Sequence, residues 1–225
     1  PGTYTVNYGM YIPANVQLYF LPGAKVTFST SVNCNSSTSG IYIAKGAEVT
    51  FGTDKNLNMN VHNRGKITAK GFQLYGSGIC TNEGTFSVDG AFRLANAACS
   101  FVNGGTFTAA SLEVADGSAV HNLDSVNVSG KTYLSSTNNV WVNDGNYVTG
   151  SLSCVAGTDQ FINNCRLKVN GLFELNNCNA STFGFRQDAL ASTETEEFKI
   201  GSARVFLGAQ SLFKVNKTAT MNCDN

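Results

Sequence analysis

The chain has 225 residues, 15 Lys and Arg against 15 Asp and Glu, and a formal net charge of zero. That balance gives no electrostatic basis for a nucleic acid or an anionic membrane as partner. No run of roughly eighteen apolar residues occurs, which excludes a membrane-spanning helix in this chain, and any targeting segment or anchor is expected outside it.

From the start, T-Y-T-V-N-Y (3–8) alternates as a strand does, and 12–21 carries a strongly apolar run expected to be buried on both faces. L-P-G-A-K-V-T-F (21–28) reads as a turn followed by a strand, and I-A-K-G-A-E-V-T-F (43–51) repeats its form. Between them S-T-S-V-N-C-N-S-S-T-S-G (29–40) is a polar stretch, expected as a loop on the side of the molecule. Residues 1–60 are thus entry coils of a repeat that becomes regular afterwards.

From 61 to 175 one unit recurs six times. It begins V-H-N-R-G-K-I-T-A (61–69), C-T-N-E-G-T-F-S-V (80–88) and F-V-N-G-G-T-F-T-A (101–109), and ends F-I-N-N-C-R-L-K-V (161–169). Taking Asn63, Asn82, Asn103, Asn122, Asn143 and Asn163 as position zero, position −2 holds Val61, Cys80, Phe101, Val120, Trp141 and Phe161. Position +4 holds Ile67, Phe86, Phe107, Val126, Tyr147 and Leu167, and Gly stands at +2 in four of the six units. Period-two alternation broken by a glycine bend, at a period of about 20 residues, is the signature of stacked coils that bury their apolar faces on one another. The asparagines are expected to form a structural ladder, each amide donating to one neighbour and accepting from the other.

The second half of each unit alternates between a short form with apolar residues at +9 and +11 (Phe72, Leu74) and a long form at +10 and +12 (Phe92, Leu94). A one-residue slip within a strand would turn the core face outward, so the extra residue must lie in a bend.

Beyond Leu175 the pattern loosens. Phe183 and Phe185 are candidates to open another coil, S-T-E-T-E-E (192–197) reads as an acidic loop, and R-V-F-L-G-A-Q-S-L-F-K-V (204–215) restores strand, turn and strand. Residues 176–225 are therefore expected as irregular terminal coils of the same single domain. Glu194, Glu196 and Glu197 lack the oxygen-ligand spacing of a Ca²⁺ loop.

Of seven cysteines, Cys80 and Cys154 fall in apolar columns and read as small core residues. Cys165 replaces a bend glycine, and Cys34, Cys99, Cys178 and Cys223 lie outside the aligned columns. No pair or cluster has metal-ligand spacing, and no metal or other cofactor is expected. Charges look compensated across coils: Arg64 with Glu83, Lys70 with Asp89, Arg93 with Glu113.

One constellation carries possible chemistry. Asp124 at +2 and Asp144 at +1 of the next coil fall near the separation that paired carboxylates need for glycoside hydrolysis, with His121 close by. His62 and His121 are three coils apart and cannot share a metal. A sugar-binding face would carry outward aromatics, for which Tyr19, Tyr42, Tyr75 and Tyr133 are the candidates.

The units F-V-N-G-G-T-F-T-A, F-I-N-N-C-R-L-K-V-N-G-L-F-E-L and L-P-G-A-K-V-T-F resemble the right-handed parallel β-helix regions of secreted surface proteins of Bacteroides-type bacteria, including those with a LruC-type domain. The resemblance spans about residues 12–215 and implies an exported protein at the extracellular or outer-membrane surface, with no catalytic residues to carry over. The likeness to pectin-lyase-like folds is in architecture only, and the acidic clusters of those enzymes have no counterpart here. The expected fold is all-β: one right-handed parallel β-helix of roughly ten coils, three strands each. The expected function is a non-catalytic, adhesin-like stalk or a module binding a polysaccharide or another surface protein. A carbohydrate-active enzyme using Asp124, Asp144 and His121 is the alternative.

Overall fold

A computed structural model describes residues 2–95, 99–176, 178 and 184–221; Phe183 and Cys223 lie outside the described residues. The described residues form 23 strands and no helix. Every named strand pairing is parallel, as in a solenoid whose coils stack edge on edge. One column of side chains counts the turns: it runs from Ile12 through Cys34, Leu57, Leu74 and Leu94 to Val114, Leu134, Cys154 and Leu175, and ends at Ile200 and Met221. That is eleven turns, about 50 Å at a rise of about 4.8 Å per strand.

Each regular coil contributes three strand segments to three faces. Ser100–Asn103 lies in the first face; Thr106–Ala115 supplies the second and, past a bend, the third. Within each segment alternate side chains enter the core. Phe86, Phe92, Phe101 and Phe107 meet there with ring centroids 4.9–5.6 Å apart, and Trp141 stacks between Tyr147 and Phe161. Each such ring removed from water stabilises the fold by about 1.5–3 kcal/mol. No coil could hide its rings without its neighbours.

The ladder of asparagines runs along one inner corner. Nδ2 of Asn63 donates to Oδ1 of Asn82 at 2.7 Å, and the relay continues through Asn103, Asn122, Asn143 and Asn163 at 2.7–2.9 Å. Each amide also donates to a backbone carbonyl of the next coil, for example Asn103 to the Ser125 carbonyl at 2.9 Å. All six asparagines are fully buried, so their amides have no water to fall back on. Past Asn163 the same register position holds Gln187, which accepts from Thr193 and donates to the Leu212 carbonyl at 3.0 Å.

The length difference between coils is confined to the bend. Pairing of the strand through Val88 with that through Ala109 stops there and resumes at Ala91 opposite Ser111, so two residues face one. On either side the apolar columns stay in phase.

Five expectations are corrected. Residues 29–40 are not a loop: Val32–Ile43 is a strand that buries Val32 and Cys34, with residues 36–39 bulging between the pairs Asn35–Asn58 and Gly40–Asn60. Cys34 thereby belongs to an apolar column. The run 12–21 is not buried on both faces, because strand alternation leaves Tyr19 65% and Leu21 67% exposed. Nor is 192–197 an acidic loop: Ser192–Ile200 is a strand in register with both neighbours, Thr193 and Thr195 inward. Threonine is tolerated inside because its hydroxyl is satisfied, that of Thr195 donating to the Gly171 and Glu197 carbonyls. Of the cross-coil charges, Arg64–Glu83 (3.2 Å) and Arg93–Glu113 (3.0 Å) form ion pairs. Lys70 and Asp89 form none among the described residues, since both flank a bend where the coils fall out of step.

Candidate functional site

The outward residues of the first face define its chemistry. Because Tyr19 pairs with Tyr42 and Tyr42 with His62, three rings stand one above another on successive coils. The tyrosines stack at 4.9 Å between centroids, 14° from parallel, and His62 follows at 5.9 Å. Across the backbone ridge the next outward positions are Leu21, Ala44 and Arg64. Between the rings and these residues lies a largely apolar groove of about 470 Å³, which Lys45 also lines. Small Ala44 keeps it open where a long side chain would fill it. Past Lys45 and Arg64 the groove continues into a cavity of about 550 Å³ over the bends at Gly46, Gly65 and Gly84. A Cβ on Gly65 or Gly84 would come within 2.4 Å or 2.1 Å of a carbonyl oxygen of the preceding coil, so the trough floor is bare backbone.

Electrostatics are set by a small network at this corner. Glu83 accepts from Arg64 at 3.2 Å and lies 3.6 Å from His62. Lys25 is 2.8 Å from Glu48, and its hydrogen bond and charge hold the Glu48 carboxyl below the usual carboxylate range.

Three coils further along the same face, His121 Nε2 contacts Asp144, whose other carboxylate oxygen accepts from Asn164 at 2.7 Å. The hydrogen bond from His121, with that from Asn164, holds the Asp144 carboxyl below its ordinary value. Asp124 is brought to the adjoining bend, packed against Gly145, its side chain exposed. A general acid for glycoside hydrolysis must stay protonated near neutral pH, and Asp144 is shifted the opposite way.

The remaining candidates separate. Tyr75 and Tyr133 lie on the third face, where Tyr75 donates to Asn35 and Tyr133 carries Lys131 over its ring at 4.3 Å. Glu194 and Glu196 pair with Lys214 and Lys217. The six cysteines among the described residues are unpaired, all buried except Cys165. Among the described residues no three His, Cys, Asp or Glu side chains are placed to hold a metal ion.

Three features escaped the sequence reading. Lys45 belongs to the groove, and aligning the entry coils with the repeat, Ile43 opposite Asn63, would have set it one residue past the position of Arg64. Lys55 is 1% exposed in an apolar position, pairing with Phe72, its amine donating to the Thr30 carbonyl at 2.8 Å, with burial pulling its pKa down. Asn139 and Asp159 form a second buried amide contact at 3.0 Å, too short a run to register as a repeat.

No family model, curated protein or solved structure matches this chain.

Proposed function

We propose that this chain is a non-catalytic, adhesin-like module of an exported surface protein: a rigid β-solenoid stalk that binds a glycan through its first face. The observation that carries the reading is the Tyr19–Tyr42 stack, Tyr19 exposed and Tyr42 half-buried, beside an open groove. Aromatic side chains with one apolar surface and one polar tip suit the mixed faces of a sugar. The resemblance of the coils to β-helix regions of Bacteroides-type surface proteins agrees with an extracellular or outer-membrane location.

A carbohydrate-active enzyme is the second reading, favoured by one observation, the His121–Asp144–Asn164 contact on the same face. Both readings are separated by presenting the protein with neutral and acidic polysaccharides, scoring retention and release of reducing ends or unsaturated products together. Retention without product is expected. Product formation that disappears in Asp124→Asn or Asp144→Asn would make this an enzyme.

A further inference from the structure

The groove beside the tyrosines differs from the rest of the molecule in charge. The chain as a whole is neutral, yet Lys45, Arg64 and Lys66 line the continuous groove and trough against Glu48 and Glu83. Lys25 answers Glu48 from the side, which leaves three cations facing one carboxylate. Lys45 forms no ion pair among the described residues and is exposed. Lys45 and Arg64 belong to successive coils but not to one column: with Ile43 opposite Asn63, Ala44 stands at the position of Arg64 and Lys45 one residue further on.

A peptide would fit this place poorly. The backbone groups under the groove are already engaged: Ala44 N–H donates to Phe20, Arg64 N–H to Ile43, and Gly23 N–H to Gly46, at 2.8–3.0 Å. No strand edge is left there for an added strand to pair with. A ligand must be recognised by ring surface and by side-chain cations alone.

We infer that the groove takes an extended, carboxylate-bearing polysaccharide, its sugars against Tyr19 and Tyr42 and its carboxylates on Lys45, Arg64 and Lys66. This rests on the glycan-binding reading and narrows it to one ligand class and one site. Arginine and lysine supply charge-assisted hydrogen bonds to carboxylates, while the bare glycine trough lets a chain lie close to the backbone.

The test is calorimetric titration of the whole chain with polygalacturonate, with neutral dextran and poly-glutamate as comparison ligands. Polygalacturonate is expected to bind, and to weaken about tenfold as salt rises from about 50 to about 300 mM, because exposed cations are screened. Lys45→Glu and Tyr42→Ala are each expected to weaken it about tenfold. Lys168→Glu, on the second face away from the groove, should leave it unchanged, and thermal melts of each variant report its fold. Equal binding of dextran and indifference to Lys45→Glu would overturn the acidic-ligand assignment and leave glycan binding standing. Preference for poly-glutamate would replace the glycan with an acidic protein. Silence with all three would overturn this inference and, if no other glycan is retained, the broader reading with it.

Discussion

A buried polar side chain is stabilising only if every one of its polar atoms finds a partner, and the asparagine ladder and the Asn139–Asp159 contact in this core show both outcomes. In the long ladder each Nδ2 has two acceptors one coil on, so six desolvated amides leave no donor stranded. At the shorter site Asn139 donates its backbone and side-chain N–H groups to Oδ1 of Asp159, both at 3.0 Å, while Oδ2 of Asp159 is buried without a partner. Burial therefore outweighs the two hydrogen bonds and pushes this carboxyl up to about 6. Its folded pKa lies above its unfolded value, so the folded state binds the proton more tightly, and stability falls as pH rises from about 4 to about 6. Above that window the loss is constant, about 2–3 kcal/mol for a shift of this size. Asp159→Asn keeps an acceptor for Asn139 and removes the charge. It is expected to match the wild type near pH 4 and to exceed it by about 2–3 kcal/mol at pH 7 in urea unfolding. Asp144 acts in the other direction: with its pKa lowered, its contribution is fully present above about 4 and is lost as pH falls below that value, so the two carboxyls are separable. A variant with the wild-type pH slope between 4 and 6 would show that Asp159 is not its source.

At the scale of the strand, tolerance to length change depends on where the change falls. Deleting Asp89 turns a long bend into the short form already present opposite it at Ala110, leaving the columns in phase; a cost below about 1 kcal/mol is expected. Deleting Val102 from Ser100–Asn103 forbids Phe101 and Asn103 from both facing inward, exposing a buried ring or breaking the ladder, at about 3–5 kcal/mol. Denaturation midpoints that fell equally in both variants would mean the bend is as constrained as the strand. The same logic explains what could be read from the sequence. Columns filled by Phe, Leu and Val in six coils, and asparagines at a constant corner, disclose the solenoid and its bends because each coil repeats the evidence. Elements whose inward positions hold Cys34, Lys55, Thr193 or Thr195 were misread or passed over, since polarity alone does not reveal a satisfied hydroxyl or amine. Of the groove, Tyr19, Tyr42, Arg64 and the bend glycines Gly65 and Gly84 were visible; Lys45 was not, because its place follows only from alignment of the entry coils with the rest. The carboxylate pair was visible as residues, but the hydrogen bonds that commit Asp144 to His121 and Asn164 needed the fold.

For the whole molecule, contacts join each coil to its nearest neighbours, so stability accumulates coil by coil and no distant closure is required. The chain should then survive removal of whole coils wherever the cut restores the columns. Excising 83–122 joins Asn82 to Leu123 and removes one long and one short interval, 21 and 19 residues, so that Asn82 next faces Asn143. Cys80 then meets Trp141, Ile67 meets Val126 and Leu74 meets Leu134, each apolar side chain on another, while the buried Thr132, Thr149 and Tyr147 hydroxyls keep one another as partners. The shortened rod is expected to fold, with a maximum dimension in solution scattering reduced by two strand rises, about 10 Å. Its unfolding should remain cooperative, with a smaller denaturant dependence in proportion to the surface removed. An aggregated or loosely packed product would show that the coils depend on contacts beyond their neighbours, and the view of the molecule as a one-dimensional stack would have to be given up.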